Sequence, residues 1–170
     1  QFQHENQVPA FAAVYGGMIQ LFGRSYTLND PPLANRMKLA QSLVFGEQLG
    51  WMNISILQDK AFMTYLKDAV RNRYLYREFF YRGEMIKSPK LIGENPLCTA
   101  VWTFNGEHTM VQPSVLCGAW QIKADGRKLY LFTNYSDRQV TLDIEPAEGD
   151  SLEPFRHTFA PGEVYAFETR

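Results

Sequence analysis

Few side chains in this sequence have the type and spacing that chemistry needs. His4, His108 and His157 are scattered. None has a histidine four residues along a helix or a cysteine nearby, so no metal site is expected. Ser25, Ser42 and Ser114 sit in no nucleophile-elbow context, and no triad is expected. Gly16-Gly17 is followed by no helix at phosphate-loop spacing, and no cofactor is expected. Cys98 and Cys117 fit no zinc pattern and cannot make a disulfide framework. They read as small buried hydrophobes, with a single disulfide between them left open. What remains is aromatic and carboxylic: Tyr15 beside the glycine pair, and Glu47, Gln48 and Trp51 in one short stretch. A flat ring such as Tyr15 or Trp51 can pack against the apolar face of a pyranose while polar tips bond its hydroxyls. The same rings suit a core, and both readings stand at this point.

Composition narrows the partners. Of 170 residues, 45% are hydrophobic and 21% charged, the balance of a globular chain with enough apolar surface for a core. Lys plus Arg number 17 against 18 Asp plus Glu, for a net charge of -1, and there are no basic runs. That gives no footprint for nucleic acid. No stretch approaches 18 consecutive apolar residues, so no membrane span is expected. No signal peptide is visible at the start, and the cysteines leave the compartment undecided.

Two regions must position the candidates, 1–88 and 97–170, with Lys87-Ser88-Pro89-Lys90 and Gly93-Glu94-Asn95-Pro96 between them. Val8–Tyr15 is continuously apolar and reads as a strand buried on both faces. Asn29-Asp30-Pro31-Pro32 predicts a helix start, with Leu33, Met37, Ala40 and Val44 on one stripe and Gly46 at the end. Asp59 caps a second helix predicted to run to Arg82, stopped by Gly83. Seven short strands are predicted beyond it: 99–104, 108–112, 115–121, 128–134, 139–144, 155–159 and 164–168. Turns such as Asn105-Gly106 and Pro161-Gly162 separate them. These strands suggest an antiparallel sandwich with Trp102, Trp120, Tyr130 and Tyr135 in its core, or aligned outside as a sugar platform.

The phrases V-P-A-F-A-A-V-Y-G-G, S-L-V-F-G-E-Q-L-G-W, Y-L-K-D-A-V-R-N-R-Y-L-Y and L-F-T-N-Y-S-D together resemble the end of a bacterial (β/α)8-barrel glycoside hydrolase. Nearly the whole chain takes part. The resemblance implies an α+β architecture: terminal elements of a TIM-type barrel over 1–88, then a β-sandwich over 97–170. By that analogy Val8–Tyr15 is the seventh barrel strand and Glu47–Met52 the eighth.

It further implies a parent that acts on carbohydrate, placed in the periplasm or outside the cell in preference to the cytoplasm. Glycosidases need two carboxyl groups flanking the scissile bond. The resemblance puts that pair on earlier strands, so no catalytic residue is expected here. Tyr15, Glu47, Gln48 and Trp51 then act as substrate-side contacts, and the chain contributes loops and support. The alternative is a non-catalytic carbohydrate-binding or structural module. Two strands and two helices cannot complete a barrel. Their missing neighbours must be an N-terminal barrel portion or another copy of the chain, or else the front half packs its helices on the sandwich.

Overall fold

The computed structural model describes residues 2–3, 9–16, 18–103 and 105–170; of Phe2 and Gln3 it describes the backbone alone. His4, Val8, Gly17 and Phe104 of the readings above lie outside them. In chain order the elements are β1 (Phe2–Gln3), α1 (Ala10–Tyr15), β2 (Ser25–Tyr26), α2 (Pro32–Val44) and β3 (Trp51–Met52). A 3-10 turn (Ile54–Gln58), α3 (Lys60–Leu75), α4 (Arg77–Arg82), β4 (Glu84–Ile86) and β5 (Lys90–Ile92) follow. The last part is β6 (Leu97–Thr103), β7 (Glu107–Pro113), β8 (Val115–Gln121), β9 (Lys128–Asn134), β10 (Val140–Glu145), β11 (Phe155–Phe159) and β12 (Val164–Thr169). All seven strands predicted beyond residue 97 are present.

The central sheet has the order β12-β9-β8-β4, all antiparallel. Both of its faces are apolar. Alternation sends Tyr130, Phe132, Val115, Ala119, Tyr165 and Phe167 to one side, where they meet Val140, Leu142, Ile144 and Phe159 of the sheet β11-β10-β5. This is the sandwich-like layer. Leu129, Leu131 and Trp120 point the other way, onto Met37, Leu43, Phe62, Leu66 and Phe80 of the helices. The β6–β7 hairpin joins that second core through Ala100, Trp102 and Met110. Trp102 and Trp120 are buried, as the alternation predicts, but in the helix-side core and not between the two sheets.

The expectation of barrel elements is overturned. Among the described residues parallel pairing is confined to β1 with β7, β2 with β3, and one bridge, Phe22 with Gln48. The other ladders are antiparallel, and no ring of alternating strands and helices closes. The described part of Val8–Tyr15 is not a strand: Ala10–Tyr15 is helix. Three alanines, the strongest helix formers, follow Pro9, which needs no amide partner at a helix start. Ala13 N donates to Pro9 O at 2.8 Å and Gly16 N to Ala12 O at 2.9 Å. A helix satisfies its own backbone, so the demand for two strand neighbours disappears. Its burial agrees, since Phe11, Val14 and Tyr15 are exposed and only Ala12 is buried. Of the expected eighth strand, Trp51–Met52 alone is a strand.

The helices follow their local signals with two changes. Gly46, at φ +69°, ends α2 in a Schellman arrangement: Gly46 N donates to Leu43 O and Glu47 N to Ser42 O. Asp30 does not cap α2, whose N-cap is Pro31. Asp59 does cap α3, accepting from Phe62 N at 2.9 Å. The second predicted helix is broken at Tyr76 into α3 and α4, and the Tyr76 hydroxyl donates to Ala166 O of β12 at 3.0 Å.

Because the central sheet needs cover on both faces, a polypeptide of residues 97–170 alone should show no cooperative thermal transition by circular dichroism. In the full chain, Leu131→Ala should cost about 2–5 kcal/mol, checked by urea unfolding.

Candidate functional site

The short parallel ladder of β2 and β3 is tied to the rest by one buried ion pair. Lys38, on the inner face of α2, donates to Asp30 Oδ2 at 2.8 Å and to Ser25 O at 3.3 Å. Both side chains are almost wholly removed from solvent. Asp30 Oδ1 accepts from Thr103 N at 3.2 Å and Thr103 Oγ1 at 2.6 Å, which fastens the β6 end to the loop before α2. Burial works to raise the Asp30 carboxyl, but the bonds from Lys38 and Thr103 prevail and hold it below the usual carboxylate range.

A cleft of about 580 Å³ opens above this pair. Gly23, Arg24 and Ser25 form one wall, and Trp102, His108 and Met110 of the hairpin form another, with Lys38 and Trp51 completing it. The Arg24 guanidinium lies 5.2 Å from the Trp102 ring centroid and Lys38 Nζ 5.8 Å. Trp102 is 7% exposed, and its buried Nε1 has no hydrogen-bond partner among the described residues. Trp51 is 67% exposed and stacks on Phe22 at 5.8 Å with 27° between the rings. Gly50 makes its approach possible: φ is +79°, and a Cβ there would collide with the Arg24 carbonyl.

The four residues singled out from sequence do not share one cavity. Trp51 lines the cleft. Glu47 lines a neighbouring depression with Phe11, Ile19, Phe22 and Arg24. Gln48 lines a third, beside α3 and α4, and its backbone N–H donates to Leu21 O at 2.8 Å. Tyr15 sits on α1 against Phe11, ring centroids 4.9 Å apart. Burial raises the Glu47 carboxyl, against the opposing pull of Arg24, Ser42 and Arg73. Its Oε2 is buried with no bond among the described residues.

Arg24, Lys38 and the meeting of His108 with Trp102 in one cleft escape sequence reasoning. Trp102 shows the same alternation as any core residue, and Arg24 and His108 come from segments 84 residues apart. The proline pair after Asp30 signals a helix start but carries nothing about Lys38. Neither cysteine is a reactive centre in a cavity: both are free, and burial pushes the Cys117 thiol up to about 12. Among the described residues no cluster of His, Cys, Asp and Glu could hold a metal ion, and no helix is long and apolar enough to cross a membrane. Compared with family models, curated proteins and solved structures, the chain gives no match.

Two titrations follow. Asp30, lower in the folded than in the unfolded chain, contributes stability above its ordinary range and loses it as pH falls through the folded value. Asp30→Asn should flatten that acid limb. It should also cost about 3–5 kcal/mol near neutrality, because Lys38 is left charged and unpaired. Glu47 is shifted the other way, so its unfavourable contribution grows as pH rises from the ordinary glutamate range through the raised folded value. Glu47→Gln should therefore raise the melting temperature at pH 7 and leave it unchanged at pH 3. Thermal melts across pH check both.

Proposed function

We propose that the chain is a non-catalytic, carbohydrate-binding part of a glycoside hydrolase: it holds saccharide in the Trp51–Trp102 cleft and leaves bond cleavage to carboxyl groups outside this chain. The observation that carries this reading is Trp51, a tryptophan two-thirds exposed at the rim of a cleft walled by a second tryptophan and by cationic donors. An exposed indole costs solvation unless something flat and apolar covers it, and the carbon-bound face of a pyranose does so. Arg24 and His108 line the same cleft. An arginine is a donor without acceptor capacity, which suits sugar hydroxyl and ring oxygens.

The residues lining the cleft also favour binding over hydrolysis. None of those described is acidic, whereas glycoside cleavage uses two carboxyl groups, about 5 Å apart for retention and further apart for inversion. Asp30 is nearby but fully engaged by Lys38 and Thr103, and Glu47 opens into a different depression. Neither is free to serve as one half of a pair in this cleft. The resemblance of the phrase around Asn134 to the C-terminal β-domain of glycoside hydrolases supports the same sphere of chemistry. The antiparallel layers act as the rigid support on which the cleft is built.

Titration calorimetry against neutral and acidic oligosaccharides tests the reading. Binding to one or more of them, weakened at least about tenfold by Trp51→Ala with an unchanged melt, is the expected result. Failure of every saccharide, or binding that ignores Trp51→Ala, overturns it. Hydrolysis of aryl glycosides by this chain should stay at the buffer rate, and turnover abolished by Glu47→Gln would place the catalysis here.

A further inference from the structure

The Trp51–Trp102 cleft keeps a cation that nothing within it balances. Lys38 is taken up by Asp30 Oδ2 and Ser25 O and is almost wholly removed from solvent. Arg24 is exposed, and no carboxylate among the described residues forms an ion pair with it. Arg82, Arg127, Lys128 and Arg156, by contrast, each meet one. Glu47 feels Arg24 only from the neighbouring depression, and none of the described residues lining the cleft is acidic. The rings of Trp51 and Trp102 and the side chain of Met110 line the same space. Apolar walls of this kind concentrate the field of an unbalanced charge inside a cleft.

The fold sets this cation beside the exposed ring. β2 and β3 pair in parallel, and within that pairing the Arg24 carbonyl accepts from Trp51 N at 3.1 Å. The Arg24 backbone N–H donates to Ser42 Oγ of α2 at 3.4 Å. The guanidinium is itself steadied: it lies 5.2 Å from the Trp102 ring centroid, and Nη2 donates to Gln41 Oε1 at 3.4 Å. Its other N–H donors have no partner among the described residues. A planar fork already held against a ring loses less freedom on binding than a free side chain would, and it matches a carboxylate with two parallel hydrogen bonds.

We propose that the saccharide held in this cleft is acidic: a uronic acid residue stacks on Trp51, and its carboxylate pairs with the Arg24 guanidinium. This assignment rests on the saccharide reading of the cleft. A neutral sugar would leave the charge unbalanced among apolar walls. A tetrahedral sulfate or phosphate ester is ordinarily held by several donors at once, and Lys38, the second cation of the cleft, is already engaged.

The test is calorimetric titration of the full chain with tetramers of galacturonate, glucuronate and mannuronate, each beside its carboxyl-reduced neutral counterpart. Expected is an acid that binds at least about tenfold more tightly than its reduced counterpart. Arg24→Gln should remove that preference and change the affinity for the neutral counterpart far less, and Arg24→Lys should restore part of it. Arg24 is exposed, melts of both variants confirm the fold, and the comparison of acid with reduced sugar on the wild type needs no variant. Equal binding of acid and reduced sugar, a preference that survives Arg24→Gln, or a sulfated galactose tetramer bound in place of every uronate would each overturn the assignment and leave the saccharide reading standing. Failure of every saccharide, neutral or acidic, overturns both.

Discussion

A sheet apolar on both faces must be covered twice, and that requirement organises this molecule. β9 is the clearest case, with six of its seven residues buried. Tyr130 and Phe132 go to the sandwich side while Leu129 and Leu131 go to the helix side. The second sheet covers one face, and α2, α3 and α4 cover the other. Three buried polar contacts cross the helix-side core. The Tyr65 hydroxyl meets Thr133 Oγ1 at 2.6 Å, Gln41 donates to Gln112 Oε1 at 2.9 Å, and Tyr135 donates to Gln112 O at 3.0 Å. These bonds fix the rotation of the helices on the sheet, since a slip would leave several polar atoms buried and unpaired.

That placement of α2 is what builds the cleft. With its apolar stripe set against the sheet, α2 carries Lys38 inward to Asp30, and Asp30 in turn anchors Thr103 at the end of the hairpin. The hairpin then brings Trp102 and His108 opposite Arg24. A buried ion pair of this sort adds little net stability over an apolar pair, but it specifies one arrangement of three segments. The proposed saccharide cleft therefore depends on a structural pair that has no free valence for chemistry. Its exposed Trp51 and the Arg24 guanidinium line the opening that a ligand would enter.

The front half holds surface that the sandwich does not need. α1, β3 and the outer faces of α3 and α4 carry the large exposed apolar residues, whereas those of the antiparallel half are few. Stability and interaction are thus divided in space. The two-sided core holds the fold, and the front half carries most of the exposed apolar surface.

The sequence by itself determined the elements whose causes are local. The seven strands beyond residue 97 follow from alternation and from turns such as Asn105-Gly106, where both residues have positive φ. Asp59 and Gly46 mark helix ends because capping is settled within a few residues. Tertiary structure decided the rest. Val8–Tyr15 is apolar in a way that suits a buried strand or a short helix, and no periodicity separates the two in so brief a run. Trp102 and Trp120 are buried under either arrangement, so alternation predicts their burial but not which of two cores receives them. Lys38 meets Asp30, and Arg24 meets Trp102, only after the hairpin folds over α2. A pairing across tens of residues leaves no mark in spacing, which is why Trp51 was legible as a candidate and the cleft around it was not.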